Sequence, residues 1–574
     1  MTLTKLTTAF ITTSLLLVMY GHSQPATENQ TARVPPLVAQ YEADRGSLLR
    51  FYVVPNSPER RQRFKQFNQE YMGKMQQLNF SKLTTGDQVD YILLNRTVEN
   101  ELRLLDIEEK EYNQVSKFIP FADSVYRLEK LRRRGAFLDA KEVAKLLTRI
   151  NDQLRELNKT AKAGDIIEKP LGERAEATVR GLRSALGSVF EFYNGYEPSF
   201  TWWVAQPYKL LDASLSAYAD ALRGKTAVDK ATKDDGSGIV GKPIGNEEFI
   251  RQLQYEMIPY TPEELIGIAN KEFAWCDAEM LKASREMGFG DDWKKALEKV
   301  KNTYVPEGRQ PEMIMKLYDE SVGFLKKHDL VTIPPLAEET WRMVMMTPER
   351  QLVAPFFLGG ETLLIAYPTN TMDQDAKLMS LRGNNPHFSR AVVHHELIAG
   401  HRLQQYMNDR YKSYRHYGTP FWTEGWALYW EMILWDMKFP QSPEDKIGML
   451  FWRMHRCARI IFSINYHLGK WTPQQCIDFL VDRVGHERAN AEGEVRRSFT
   501  GGYGPLYQLA YMMGAMQFYA LKKELVDEGK MPLKQFNDAI LQENAMPVEM
   551  VRAILKKQPL TRDFKTSWRF YNRN

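Results

Sequence analysis

Residues 394–401 read His394-His395-Glu396-Leu397-Ile398-Ala399-Gly400-His401, and they hold three of the ten histidines of the chain. A zinc hydrolase needs two neutral imidazoles, often a carboxylate as third ligand, and a coordination position left open for water. It also needs a base beside that water. His395 and His401 supply the imidazoles here, and Glu396, next to His395, is the expected base. The spacing is unusual. On a familiar metal-binding helix the two histidines stand four apart and share a face, whereas six residues turn them about 240° from one another. They can share an ion only across a bulge or a break, and Gly400 tolerates the dihedrals that this requires. The pair His394 and His401 shares a face but is separated by about 10 Å along the axis, so it needs distortion as well. The sequence therefore predicts a helix interrupted near Gly400.

Outward from this stretch, Glu424 follows His401 by 23 residues, within Phe421-Trp422-Thr423-Glu424-Gly425-Trp426-Ala427. That gap accommodates the end of one helix, a loop around Tyr417-Gly418-Thr419-Pro420 and an antiparallel return. Glu424 is the expected third ligand. Glu431, seven residues on, lies on the same helix face. It is expected to orient a ligand histidine through a hydrogen bond, and it is the substitute ligand for Glu424. His394 is expected to support or pack against the ligands rather than bind the ion. Further on, Gly501-Gly502-Tyr503-Gly504-Pro505-Leu506-Tyr507-Gln508-Leu509-Ala510-Tyr511 joins a flexible loop to three phenols. Tyr503 sits where the loop could close over substrate. Aromatic residues four apart on a helix are, by default, core.

The rest of the chain frames this centre. Its 574 residues are 43% hydrophobic and 26% charged, the composition of a globular protein. The 77 basic and 72 acidic side chains nearly balance, and no dense basic cluster points to nucleic acid. The most basic run, Lys130 to Lys141 with Arg132, Arg133 and Arg134, reads as a solvated helix face. At the N-terminus, Lys5, the apolar stretch Ala9 to Tyr20 and Gly21-His22-Ser23 read as a cleaved secretory signal over residues 1–23. The apolar stretch is too short to span a bilayer, and no later segment is apolar for long enough. The expectation is an exported protein, periplasmic or secreted, without stable membrane insertion. Of three cysteines, Cys276, Cys457 and Cys476, an oxidising compartment permits one pair, with Cys457–Cys476 the candidate. Free buried thiols are the default.

Residues 24–45 read as a polar leader, 46–340 as a mainly helical N-terminal region and 341–574 as the zinc-binding region, the two forming one helical fold around a cleft. Helical periodicity marks the chain from about Glu59, then Thr85 to Glu109, Ala140 to Leu157 and Ala175 to Tyr193. Ala227 to Gly245 reads as an exposed loop, and Thr261-Pro262-Glu263-Glu264 opens a helix in capping style. Trp341 to Thr369, with Gly359-Gly360 at a turn, reads as a small hairpin or short sheet. The fold class is mainly α with a minor β element beside the motif helix. The strand Thr362 to Tyr367 could pair with an extended peptide.

His394 to Gln404, Glu424-Gly425-Trp426-Ala427 and Pro505…Tyr511…Gly514 together resemble the bacterial domain-of-unknown-function 885 family. That family looks like zinc metallopeptidases, distantly similar to the thimet-oligopeptidase and thermostable-carboxypeptidase groups. Its pattern is His-Glu, two variable residues, Pro-Gly-His and a nearby Gln; the chain matches at His395, Glu396, Gly400, His401 and Gln404 and departs at Ala399. The resemblance implies a helical zincin-like fold, one zinc ion on His395, His401 and Glu424, and Glu396 as base. It further implies Tyr511 as donor to the developing oxyanion. Arg459 also matches a family position, and its fork suits a carboxylate, either a buried Glu or a peptide C-terminus. The resulting expectation is a metallopeptidase acting on peptides. A zinc hydrolase of a non-peptide amide or ester, and a non-catalytic helical binding protein with a relic site, are the alternatives.

Overall fold

The computed structural model describes residues 34–163, 166–226, 234–352 and 354–571. The expected signal segment lies outside the described residues. So do residues 24–33 of the expected leader and 227–233 of the expected loop. The remainder of the leader is not extended: a helix runs from Pro35 to Phe51. Pro35 and Pro36 open it, where their missing N–H groups cost nothing. Helical periodicity elsewhere reads through to the fold, with helices Pro58–Gln76, Thr85–Val115, Ala140–Ala163 and Lys169–Tyr193. Thr261 and Glu264 form a reciprocal capping box at the start of the helix Pro262–Glu286.

The structure is mainly α, with one two-stranded sheet. Strands β1 (Arg342–Met345) and β2 (Thr362–Ile365) pair in parallel, with Met343 opposite Leu363. The expected hairpin is therefore only half right. The turn at Gly359-Gly360 does fold the chain back, so that Leu358 exchanges both backbone hydrogen bonds with Leu364. The main partner of β2, however, arrives from 20 residues upstream. Leu358 on one side and β1 on the other occupy both edges of β2. This removes the open strand that the sequence offered for a peptide to join.

Two hydrophobic cores organise the chain. One is built from residues 115–222 with Val54, in the helices Ala122–Arg132, Ala140–Ala163, Lys169–Tyr193 and Pro198–Lys225. The other takes the N-terminal helices and everything from Ile239 to Phe570. The smaller core falls wholly within the expected N-terminal region, and the larger spans both expected regions. The basic run at 130–141 is not one helix face. Its helix ends at Arg132, and Arg133 turns inward onto Glu129, 2.5 Å away.

All three cysteines are free and buried. Cys457 lies beside Cys276 and Cys476 donates to the Phe462 carbonyl, so the Cys457–Cys476 pair is not formed. Among the described residues no helix is long and apolar enough to cross a membrane.

Candidate metal centre

The helix Pro386–Glu396 carries His395. Asn385 caps its first N–H groups through its side chain, and the helix is pressed against the long helix Pro443–His467. A Cβ on Gly448 would lie 2.2 Å from the His387 carbonyl oxygen, Phe388 stacks on Phe451, and the Trp452 indole donates to the Phe388 carbonyl. The helix stops at Glu396. Residues 397–400 break it, with a cis peptide between Ile398 and Ala399, and a second helix, His401–Asn408, begins at the second imidazole. Glycine is needed at the break because a Cβ on Gly400 would lie 1.8 Å from the His395 carbonyl oxygen. The Trp426 indole holds the break from the side by donating to the Ala399 carbonyl at 2.8 Å. The interruption near Gly400 is thus the predicted one, and it brings the His395 and His401 rings to 4.9 Å between centroids.

Glu424 comes from the helix Pro420–Asp436. This helix meets the helix Tyr507–Lys522 backbone to backbone: a Cβ on Gly425 would lie 2.5 Å from the carbonyl carbon of Gly514. At the crossing, Glu424 and Tyr507 face one another, and the Tyr507 hydroxyl donates to Oε1 of Glu424. The other oxygen, Oε2, is 3.2 Å from Nε2 of His401 and 3.5 Å from Nε2 of His395. It is buried and accepts no hydrogen bond from any described residue. Three lone-pair atoms converge without bonding to one another. In a tetrahedral zinc site with ligands at ~2.0–2.1 Å, neighbouring ligand atoms stand ~3.3 Å apart. The donor set, two imidazoles and a carboxylate, and its spacing fit a zinc ion.

The surroundings fit as well. Nδ1 of His395 is 2.7 Å from Oε1 of Glu431, as expected of that residue, which leaves Nε2 for the ion. Glu431 also receives Nη2 of Arg456 at 3.2 Å. Burial would raise its carboxyl, but Arg456 and His395 outweigh burial and hold it below its ordinary value. Burial would likewise raise Glu424, and the imidazoles of His401 and His395 hold it well below. Burial would lower His395, but Glu424 and Glu431 raise it to about 9. The two carboxylates draw positive charge to this point.

Glu396 points to the same place. His395, Glu396 and His401 offer ligand atoms that all lie within 4.8 Å of one another. Its Oε2 accepts the Gly359 N–H at 2.5 Å, and the Gly360 N–H bonds to its carbonyl. The turn before β2 therefore seats the expected base. Gly359 has no room for a side chain, since a Cβ there would meet Cβ of Glu396 at 2.3 Å.

A cavity of about 210 Å³ opens over these residues, lined by Phe356 to Gly359, by Tyr503, Tyr507 and Tyr511, and by Arg456, Arg459 and Arg497. Tyr511 lies along the His395 ring, 6.0 Å between centroids, and its hydroxyl accepts Nη2 of Arg497 at 3.1 Å. Burial pushes this phenol up to about 12. Tyr503 lies over the Arg497 guanidinium, 4.7 Å from its ring centroid.

Two expectations that held alternatives are narrowed. Of the two carboxylates expected for Arg459, the structure shows the buried Glu: both arms hold Glu494, at 2.7 and 3.0 Å, so the fork is not free for a peptide C-terminus. His394 takes the packing role of its two expected ones: it meets Phe439 edge-on, and burial pulls its imidazole down to about 4. Arg456 and Arg497 were not singled out by the sequence, and Tyr507 was read only as one of three phenols with the core as its default place. Arg456 stands three residues before Arg459, one turn along the same helix face, a signal that could have found it. Nothing local marks Arg497.

A family model for bacterial proteins of unknown function (DUF885) matches residues 53–555. Among solved structures, a protein of unknown function from Shewanella oneidensis, described as a candidate lipoprotein, superposes with a TM-score of 0.65 at 18% identity, over 91% of this chain and 99% of its own. A candidate lipoprotein from Colwellia psychrerythraea superposes with a TM-score of 0.56 at 15% identity, over 91% of this chain and 98% of its own. No curated protein matches. These likenesses bear on the fold.

Proposed function

The chain belongs to the DUF885 family of bacterial proteins of unknown function, and from the site it carries we propose that it is an exported, zinc-dependent metallopeptidase with a zincin-like active centre. The observation that supports this reading most directly is Glu424 Oε2, buried without a hydrogen bond and equidistant, within a few tenths of an ångström, from two imidazole nitrogens. In this reading Nε2 of His395, Nε2 of His401 and Oε2 of Glu424 hold one zinc ion. Bound there, zinc would supply Lewis acidity and bring the pKa of a water toward ~7.

The chain's own groups then divide the work. Glu431 accepts the Nδ1 proton of His395 and fixes its tautomer. Glu396, steadied by the Gly359 N–H, takes a proton from the attacking water and returns it to the leaving amine. Tyr507 has spent its hydroxyl proton on Glu424. Tyr511 has not: Arg497 donates to its oxygen, which leaves the phenolic O–H to donate toward the oxygen of the polarised carbonyl. Phe356 to Gly359 and the Tyr503 loop border the cavity in which a short peptide would be held.

The test is metal analysis together with turnover. Zinc present in the purified protein and lost in His395→Ala, with peptide cleavage lost in Glu396→Gln while zinc is retained, is the expected result. Peptide cleavage that survives Glu396→Gln would sink the assignment of the base.

A further inference from the structure

Three guanidiniums line the wall of the cavity beyond the ligands, and two carboxylates face them. Arg459 is forked on Glu494, and Arg456 is paired with Glu431. Arg497 is left over. Its Nη1 lies 4.0 Å from Glu494, whose two oxygens Arg459 already holds. Its Nη2 binds only the neutral hydroxyl of Tyr511, and its Nε makes no hydrogen bond with a described residue. Yet Arg497 is 5% exposed. The neighbouring His455 and His486, hydrogen-bonded to one another, sit in a dry environment that holds both well below their ordinary range, so they add no charge. Glu424 and Glu396 offset the divalent ion of the proposed function, on which this inference rests. Three buried guanidiniums thus share two carboxylates, and a buried charge in excess of its partners is unfavourable, so this wall is built to receive an anion.

The position of that anion follows from Tyr511, whose ring lies along His395 and whose hydroxyl touches Arg497. One phenol ring separates the guanidinium from the metal ligand. One residue spans about 3.5 Å of chain, so a carboxylate held at Arg497 belongs to a residue at or next to the bond being cut. We propose that Arg497 receives the terminal carboxylate of the last residue of the substrate, and that the enzyme removes single amino acids from peptide C-termini. Water adds across the last amide, the C–N bond breaks, and the released amino acid leaves with the proton on its amine and its carboxylate on Arg497. Tyr503, over the same guanidinium, covers this pocket.

The experiment compares three N-acetylated peptides of one sequence: a free acid, the same peptide as its C-terminal carboxamide, and a carboxamide ending in Glu. The zinc-loaded wild type is expected to cleave the free acid at least about 100-fold better in kcat/KM than either amide. Arg497→Gln, which also removes a hydrogen bond to Tyr511, should lose that preference by slowing the free acid by a much larger factor than the amides, with zinc content unchanged. A second readout does not need turnover. Calorimetry on the zinc-loaded Glu396→Gln protein should show N-acetyl-leucine binding at least about tenfold more tightly than N-acetyl-leucinamide. The difference should vanish when Arg497→Gln is added. Equal wild-type turnover of acid and amide, or a Glu-terminated amide cleaved as well as the acid, overturns the proposal. So does a loss in Arg497→Gln that falls equally on both substrates. In each case cleavage that still depends on Glu396 leaves the metallopeptidase reading standing, whereas no cleavage of any peptide and no zinc removes that reading itself. If Arg497→Gln does not fold, the wild-type substrate comparison decides alone.

Discussion

Gly425 and Gly514 touch backbone to backbone, and this contact sets where Glu424 stands relative to the two imidazoles. A Cβ on Gly514 would lie 2.1 Å from the Phe421 carbonyl oxygen and 2.9 Å from Cα of Gly425. Neither atom belongs to a flexible side chain, so one helix would have to move. Gly514→Ala should destabilise the protein by about 2–3 kcal/mol and weaken zinc binding. Denaturant unfolding with and without zinc reads both; unchanged zinc affinity would mean that the crossing does not govern the ligand.

Gly400→Ala separates the break from overall packing. The Cβ would sit 1.8 Å from the His395 carbonyl oxygen, displacing the imidazole that follows the same backbone. Zinc content should fall well below one per chain. Wild-type zinc content in this variant would show that the break can close differently.

Tyr511 and Tyr507 should respond differently to loss of their hydroxyls. Tyr511→Phe should retain zinc and lower kcat by about 10²–10³, the cost of one oxyanion donor. Tyr507→Phe, which frees Oε1 of Glu424, should show instead in zinc affinity. Glu431→Gln, which weakens the hold on His395, should lower that affinity by about 10–100-fold. Competition against a chelator measures these affinities. A Tyr507→Phe variant with unaltered zinc binding but lost turnover would transfer the donor role to Tyr507.

Away from the metal, His467 is buried against Phe249, Tyr466 and Phe499, and burial lowers its imidazole from 6.5 to about 4. The folded protein holds this ring neutral while the unfolded chain protonates it. Its contribution to stability is therefore fully present above pH ~6.5 and declines as pH falls toward ~4. By pH 5 the loss is about 2 kcal/mol. His467→Phe should flatten the stability profile between pH 7 and 5 by about that amount. An unchanged profile would show that the ring is solvated.

The sequence carried what is local. The six-residue spacing of His395 and His401 forced an interrupted helix, Thr261 and Glu264 announced a cap, and the face shared by Glu424 and Glu431 placed one beside both imidazoles and the other behind His395. What it did not carry depends on partners distant in the chain. The parallel register of β1 and β2, the seat of Glu396 on Gly359, the occupation of Arg459 by Glu494 and the isolation of Arg497 each join segments that no periodicity relates. Polar residues between 24 and 45 suggested a leader, but Val38 and Tyr41 are buried and tie their helix to the larger core.

A helix bearing its two histidines four apart can begin to chelate as an isolated peptide. This chain cannot, because the interruption between Glu396 and His401 assigns each imidazole to a separate short helix, oriented by separate neighbours. A fragment comprising only residues 386–436 lacks the clamp from Gly514 and the cradle from Gly359, so it should have little affinity for the ion. Occupancy by metal would then report on whether the whole scaffold has assembled, and nascent or partly melted protein would be spared from acquiring hydrolytic power before its cleft is closed.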